Sequence, residues 1–268
     1  MKESSLYDVI IVGAGASGLV CALQCARRGK QVLLLEKERQ AGRKILVSGN
    51  GRCNLTNAYV CTSDYRGTPE LAAAVLNHFP FQTCLDFFRE LGVLTLQEGQ
   101  GRMFPRTGKS TAVAEALRLA CAEAGVELKT ESEVTKIEKK KHFCVKLKTG
   151  ETFTSKYAVL ACGSKAYPQA GGTESGYKLA ASLGHHIIPP TPALCALNVK
   201  EKAVARLQGI RAQVRVTVWP QTPRARTSEG EVLFTAYGLS GPAVLNVSGP
   251  VGKALSGGSV PLTLDFLL

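Results

Sequence analysis

Residues 42–57, GRKILVSGNGRCNLTN, gather three cations, three glycines and a cysteine in sixteen positions. Glycines let a backbone approach a ligand closely, and cations offset negative charge on it. The stretch therefore reads as an anion-binding loop. Gly42, Arg43, Lys44, Ser48, Gly49 and Gly51 bring backbone close to a diphosphate, and Arg43, Lys44 or Arg52 offset its charge. Cys53 lies between glycines and two arginines, a setting that lowers a thiol pKa. It has no nearby partner for dithiol chemistry.

The segment before this loop explains what the anion would be. YDVIIV at 7–12 is a β-branched strand run, followed by GAGASG at 13–18 and the helical pattern LVCALQCARRG. Gly29 ends that helix, and QVLLLE forms a second strand ending in Glu36. A lone GxGxxG carries little weight. Here it has a strand before it, a helix after it and an acid at the tip of the next strand. Gly13, Gly15 and Gly18 permit the tight turn, and the helix start at Ala16 and Ser17 offers free N–H groups to a pyrophosphate. Glu36, followed by Lys37, suits ribose hydroxyls and repels a 2′-phosphate.

A plain NAD domain would continue β-α-β-α. This chain instead inserts the 42–57 loop, and later a three-strand meander ending in YAVLACG at 157–163. That order fits FAD as the bound dinucleotide, with NAD(P)H as a transient donor, because no second GxGxxG occurs. Between these parts, the spacing predicts helical residues over 69–91, broken at Pro80. Leu71, Val75, Leu76, Phe79, Leu85, Phe88 and Leu91 are spaced for core packing. A short hairpin follows over 93–104, then a helix capped by Ser110. KIEKKKH at 136–142 reads as the rim of a hairpin. From residue 189 the prolines 189, 190 and 192 mark a connector. RAQVRVTVWP, GEVLFTAYG and SVPLTLDF then read as strands, with a helix starting at Pro242.

Composition narrows the classes. The chain has 268 residues, 45% hydrophobic and 20% charged, ordinary values for a globular protein. No apolar run approaches the ~20 residues of a membrane span, and the N-terminus lacks a signal-peptide layout. The nine cysteines contain no CxxC pair, which points to reduced thiols in a cytoplasm and no metal site. The formal charge of +12 is spread along the chain without a nucleic-acid module. A small-molecule substrate is expected, and no nucleic acid or membrane partner.

Six ordered stretches resemble one family. They are DVIIVGAGASGL, GRKILVSGNGRCNLTN, GRMFPRTGKSTAV, AVLACGSKAYPQAGGTESGYKLAASLGH, PALCAL and GEVLFTAYGLSGPAVLNVS. The chain resembles the HI-0933-like bacterial flavoproteins, a family of NAD(P)/FAD-dependent oxidoreductases. The resemblance implies an α/β fold. Residues 1–188 would form a Rossmann-like FAD-binding domain with a β-meander, of the two-dinucleotide-binding-domain type. Residues 189–268 would form an inserted β-rich domain. It implies cofactor contacts from the glycine turn, Glu36, Lys44, the 48–54 loop with Cys53 and Asn54, Val134, and Cys162-Gly163. It implies hydride transfer at flavin N5, in reduction of an enone or oxidation of an amine.

The chain departs from the family at Cys162-Gly163-Ser164, where Thr-Gly-Gly is usual, and at Glu174-Ser175-Gly176-Tyr177, where Gly-Asp-Gly-Tyr is usual. It also ends at LTLDFLL, where family members continue, so a C-terminally truncated fragment with an incomplete flavin site and exposed apolar surface is expected. An inactive flavoprotein remnant, a basic binding protein and an NAD-only oxidoreductase are the alternatives. Catalytic residues stay unassigned: His185 and His186 mark a helix end, while Tyr167, Tyr177 and Tyr237 are open candidates.

Overall fold

The computed structural model describes residues 6–65, 67–220, 224–255 and 258–267. The chain divides into two units, Met1–Ile187 and Ile188–Leu268.

The first unit is built on a six-stranded sheet. Its strands are β1 (Leu6–Val12), β2 (Val32–Leu35), β6 (Glu127–Lys129), β7 (Val134–Lys139), β8 (Phe143–Leu147) and β9 (Thr152–Leu160), in the order β6-β2-β1-β9-β8-β7. β6, β2, β1 and β9 run parallel, and β8 and β7 are antiparallel additions. Residues 126–139 split between the two edges of this sheet: β6 extends the parallel part and β7 closes the meander. Val9 and Ile11 pack on one face with Leu19 and Leu23 of α1 (Ala16–Ala26) and with Val113 and Leu117 of α5 (Ser110–Glu123). Ile10 and Val12 pack on the other face with Ile137, Val145 and Leu147 of the meander and Leu179 of α6 (Ser175–Ser182). Strand residues buried on both faces explain the unbroken apolar run VIIV at 9–12.

Pro80 separates α3 (Pro69–His78) from α4 (Phe81–Glu90), because its ring removes an N–H and blocks continuation. The expected core face of this pair is not buried as a whole. Only Phe87 is buried in α4 and no residue is buried in α3, while Leu71, Val75 and Phe79 are exposed. The hairpin of β4 (Thr95–Glu98) and β5 (Arg102–Pro105) follows, and β5 also pairs with β3 (Thr56–Asn57). Ser110 does not cap α5. It is the first helical residue, and its hydroxyl donates to the Leu46 carbonyl at 2.8 Å.

The second unit is a five-stranded antiparallel sheet: β10 (Leu197–Asn198), β13 (Gly238–Ser240), β12 (Arg226–Thr235), β11 (Arg211–Val218) and β14 (Leu262–Asp265). The short helix α7 (Ala203–Arg206) precedes β11. Helix α8 (Pro242–Ala254) starts at Pro242 with Gly241 at its cap. It covers Val214, Val216, Val218, Val232 and Phe234 with Val244, Val247 and Val251. The opposite residues Arg211 and Arg215 pair with Glu231, Glu229 and Asp265, so the alternation is apolar toward the helix and ionic away from it.

Candidate functional site

The carboxyl ends of β1, β2 and β9 meet at one cavity of about 340 Å³. This is where an open α/β sheet places a ligand. Gly13, Gly15, Ala16 and Ser17 line it from the first turn, Glu36 and Lys37 from the tip of β2, and Cys162 and Gly163 from the tip of β9. Val134, Arg43 and Lys44 also line it.

The glycine turn is tight for a steric reason. Gly13 has φ +103°, and a Cβ there would sit 2.5 Å from the Ala161 carbonyl oxygen. A Cβ at Gly18 would lie 1.8 Å from the Gly13 oxygen, so the helix can pack on its own turn only with glycine at that position. Gly15 differs: an added Cβ would meet no protein atom within 4 Å. The space it faces is the cavity. Ala16 and Ser17 are exposed on α1, whose first turn holds no acid and whose cap makes no side-chain hydrogen bond. The helix start is therefore free to meet an anion.

Glu36 closes the other side. One carboxylate oxygen accepts from the Ala14 N–H at 2.7 Å and the other from the Glu38 N–H at 3.0 Å. Each oxygen retains a second lone pair for a hydroxyl in the cavity. The strand of the meander is tied to the same place, because the Ser132 N–H donates to the Glu36 carbonyl at 2.8 Å.

The loop that follows is partly helical. Residues Arg43–Val47 form α2, led by Gly42 at φ +81°. The three cations of this stretch have different fates. Arg43 pairs with Glu38, and its other nitrogen donates to the Gln169 carbonyl at 3.0 Å. Arg52 holds Glu98 through both nitrogens, one contact at 3.0 Å, and its guanidinium lies 4.3 Å from the centre of the Phe104 ring. Lys44 lines the cavity and makes no ion pair among the described residues; its Nζ donates to the Ser164 carbonyl at 2.9 Å. Burial, and then the nearby Lys37 charge, hold the Lys44 ammonium below the usual lysine pKa.

Ser48, Gly49, Gly51, Arg52, Cys53 and Asn54 do not line this cavity, and neither does Gly18. They continue from the end of α2, where Gly49, Asn50, Gly51 and Cys53 all have positive φ. The environment of Cys53 reverses the sequence expectation. The residue is buried, and burial pushes its thiol pKa up despite an opposing hydrogen bond with Ser48. The two arginines are neutralised by Glu38 and Glu98, so neither stabilises a thiolate. Cys162 is likewise pushed up, to about 11, by burial; its thiol donates to the Val12 carbonyl at 3.4 Å. His185, His186, Tyr167 and Tyr237 are exposed, and Tyr177 is half-buried on α6. Sequence reasoning missed Glu38, Ser132, Ala170 and Gly171 as cavity residues. The only available signal was the GG pair at 171–172, which marks a close approach but not its partner.

No helix among the described residues is long and apolar enough to cross a membrane. The family model of the HI0933-like protein Rossmann domain matches residues 7–260. The chain is 37% identical over 261 residues to the 3-dehydro-bile acid delta(4,6)-reductase of Clostridium scindens, covering 96% of this chain and 64% of that protein. It is 32% identical to the ribosomal RNA dihydrouridine synthase of Haemophilus influenzae, covering 91% and 62%, and 30% identical to that of Escherichia coli, covering 90% and 60%. The chain thus spans less than two thirds of each of these relatives. With an α/β Rossmann-type unit, a glycine turn at the sheet's carboxyl edge and a family match across nearly its whole length, the chain belongs to the HI0933-like family.

Proposed function

We propose that the protein is an FAD-dependent oxidoreductase that reduces a carbon–carbon double bond conjugated to a carbonyl. The observation that carries the cofactor assignment is the pairing of an open helix start at Ala16 and Ser17 with a cavity cation, Lys44, that no carboxylate among the described residues neutralises. The cavity residues fit the adenosine diphosphate part of FAD. The α1 N–H groups and Lys44 would hold the diphosphate, Gly15 would give it room, and Glu36 would accept from ribose hydroxyls. Residues 48–54, Val134 and Cys162-Gly163 would complete the cofactor contacts. Bound flavin supplies the hydride at N5, and NAD(P)H would reload it. The chain's own part is to bind, orient and shield that group.

The substrate class rests on the names of the relatives. A delta(4,6) bond in a 3-dehydro-bile acid and the uracil bond reduced in dihydrouridine are both conjugated to a carbonyl, and both gain hydrogen across it. A small-molecule enone is the first reading. The name of the Haemophilus influenzae relative supports a second, in which the bond lies in a pyrimidine of RNA. Anaerobic assay of the flavin-loaded protein with NADH or NADPH separates them. Oxidation of the flavin by a 3-oxo-4-ene steroid supports the first, and oxidation only by a uridine-containing RNA supports the second. A reduced flavin that neither substrate oxidises contradicts the proposed chemistry.

A further inference from the structure

Three carboxylates and three cations line the cavity: Glu36, Glu38 and Glu133, and Lys37, Arg43 and Lys44. A site for a diphosphate gains most from cations that no carboxylate has already claimed. Here one acid claims two of the three. One oxygen of the Glu38 carboxylate pairs with the Arg43 guanidinium, and the other lies 3.6 Å from Lys37 Nζ. Lys44 makes no ion pair among the described residues and donates only to the Ser164 carbonyl. These six groups together leave the cavity without net charge, while a dinucleotide brings two negative charges on its diphosphate.

Backbone and packing fix Glu38 in this place. Its N–H donates to the Glu36 carboxylate at 3.0 Å, and its carbonyl accepts from the Glu131 N–H at 3.1 Å. Its side chain packs on Gly171, at φ +84°, where a Cβ would fall 2.9 Å from Glu38 Oε1. Only glycine admits the carboxylate so closely. Arg43 is held from two directions, because its second terminal nitrogen donates to the Gln169 carbonyl at 3.0 Å. Each terminal nitrogen of Arg43 thus donates to a protein oxygen. The paired side chains are 39% and 27% exposed, and an ion pair so open to water adds little to stability. Its consequence lies in the charge it takes out of the cavity.

We propose that Glu38 limits cofactor affinity by withholding Lys37 and Arg43 from the diphosphate of the bound dinucleotide. The inference rests on the FAD reading above and adds the residue that sets how tightly the cofactor is held. Glu38 acts through the two cations and through its own charge, which repels the diphosphate. It is a positioning residue and touches no reacting atom. The cofactor then dissociates more readily than full use of the three cations would allow.

The test is titration of the flavin-free chain with FAD, followed by flavin fluorescence, with ADP and adenosine as competitors. Glu38→Gln keeps the side-chain shape and removes the charge. It should tighten FAD and ADP about fivefold or more at low salt and leave adenosine within about twofold. Most of the gain should vanish in about 1 M salt, where the screening length falls to about 3 Å. Glu38→Asp, which keeps the charge, should tighten neither ligand. Arg43→Gln leaves the carboxylate without its arginine and should weaken FAD, and adding Glu38→Gln should recover that loss. A purely structural Glu38 would give the opposite sign, since a loosened cavity binds less at every salt concentration. FAD affinity that is unchanged or weaker in Glu38→Gln overturns the proposal, as does a Glu38→Gln chain that fails to fold or a double variant that recovers nothing. In each of these cases a parent chain that binds FAD leaves the cofactor reading standing. A parent chain that binds neither FAD nor ADP overturns that reading, and this inference with it.

Discussion

Lys44 Nζ lies 2.9 Å from the Ser164 carbonyl oxygen, which links the start of α2 to the turn that leaves β9. The two arginines of the same loop are neutralised by carboxylates, and Lys44 is not. This divides one basic stretch into two cations held by carboxylates and one, Lys44, that we propose binds the diphosphate. Lys44→Gln should therefore weaken FAD binding about tenfold to a hundredfold, the effect of losing one charge-assisted hydrogen bond. Fluorescence titration of the apo-protein with FAD measures it. An affinity within twofold of the parent would remove Lys44 from the diphosphate site.

Arg52 should behave in the opposite way. Its carboxylate partner Glu98 is held below the usual glutamate pKa, first by the hydrogen bond from Arg52. A depressed carboxylate pKa contributes stability above the unfolded value, and that stability is lost as pH falls through the folded value. Arg52→Gln should therefore melt lower than the parent near pH 7, and the gap should close on acidification below about pH 4. Thermal melts of both proteins across that range give the answer. A gap that persists in acid would assign the loss to the Phe104 stack instead.

The glycines of the first turn should separate folding from binding. Gly18→Ala forces a methyl group against the Gly13 carbonyl and should destabilise the chain by about 3 kcal/mol or more. Gly15→Ala meets no protein atom, so its melting temperature should stay close to that of the parent while FAD affinity falls. Calorimetry and flavin titration on the two variants check this. Equal loss of stability in both would mean that the cavity edge at Gly15 is not open.

Thiol reactivity gives a test of the local environments. Burial raises the Cys53 pKa, whereas Cys61 is exposed. Iodoacetamide at neutral pH should label Cys61 well before Cys53, as read by peptide mass spectrometry. Faster labelling of Cys53 would restore the picture of an activated thiolate between arginines.

These residues also show what the sequence can and cannot reveal. The glycine turn and Glu36 were legible because their chemistry is local: Gly13 meets backbone at the end of the adjoining strand and Gly18 meets the Gly13 carbonyl five residues back. The break at Pro80 and the start of α8 at Pro242 were legible for the same reason. Arg43 and Arg52 were not separable from Lys44, since their partners Glu38 and Glu98 are chosen by the fold. The expected low pKa of Cys53 failed on that point, because charge spacing in sequence says nothing about who neutralises the charge. Ser110 looked like a cap, but a carbonyl 64 positions away claims its hydroxyl. The apolar spacing of Leu71, Val75 and Phe79 correctly marks one helix side but does not say that the side is covered.

The central claim is that the cavity at the ends of β1, β2 and β9 holds FAD. The most direct measurement is the visible absorption spectrum of the purified chain after incubation with FAD and removal of excess, with chromatography of the cofactor released by acid. The account predicts a flavin spectrum and FAD at about one equivalent per chain. A folded, colourless protein that releases no FAD would contradict it.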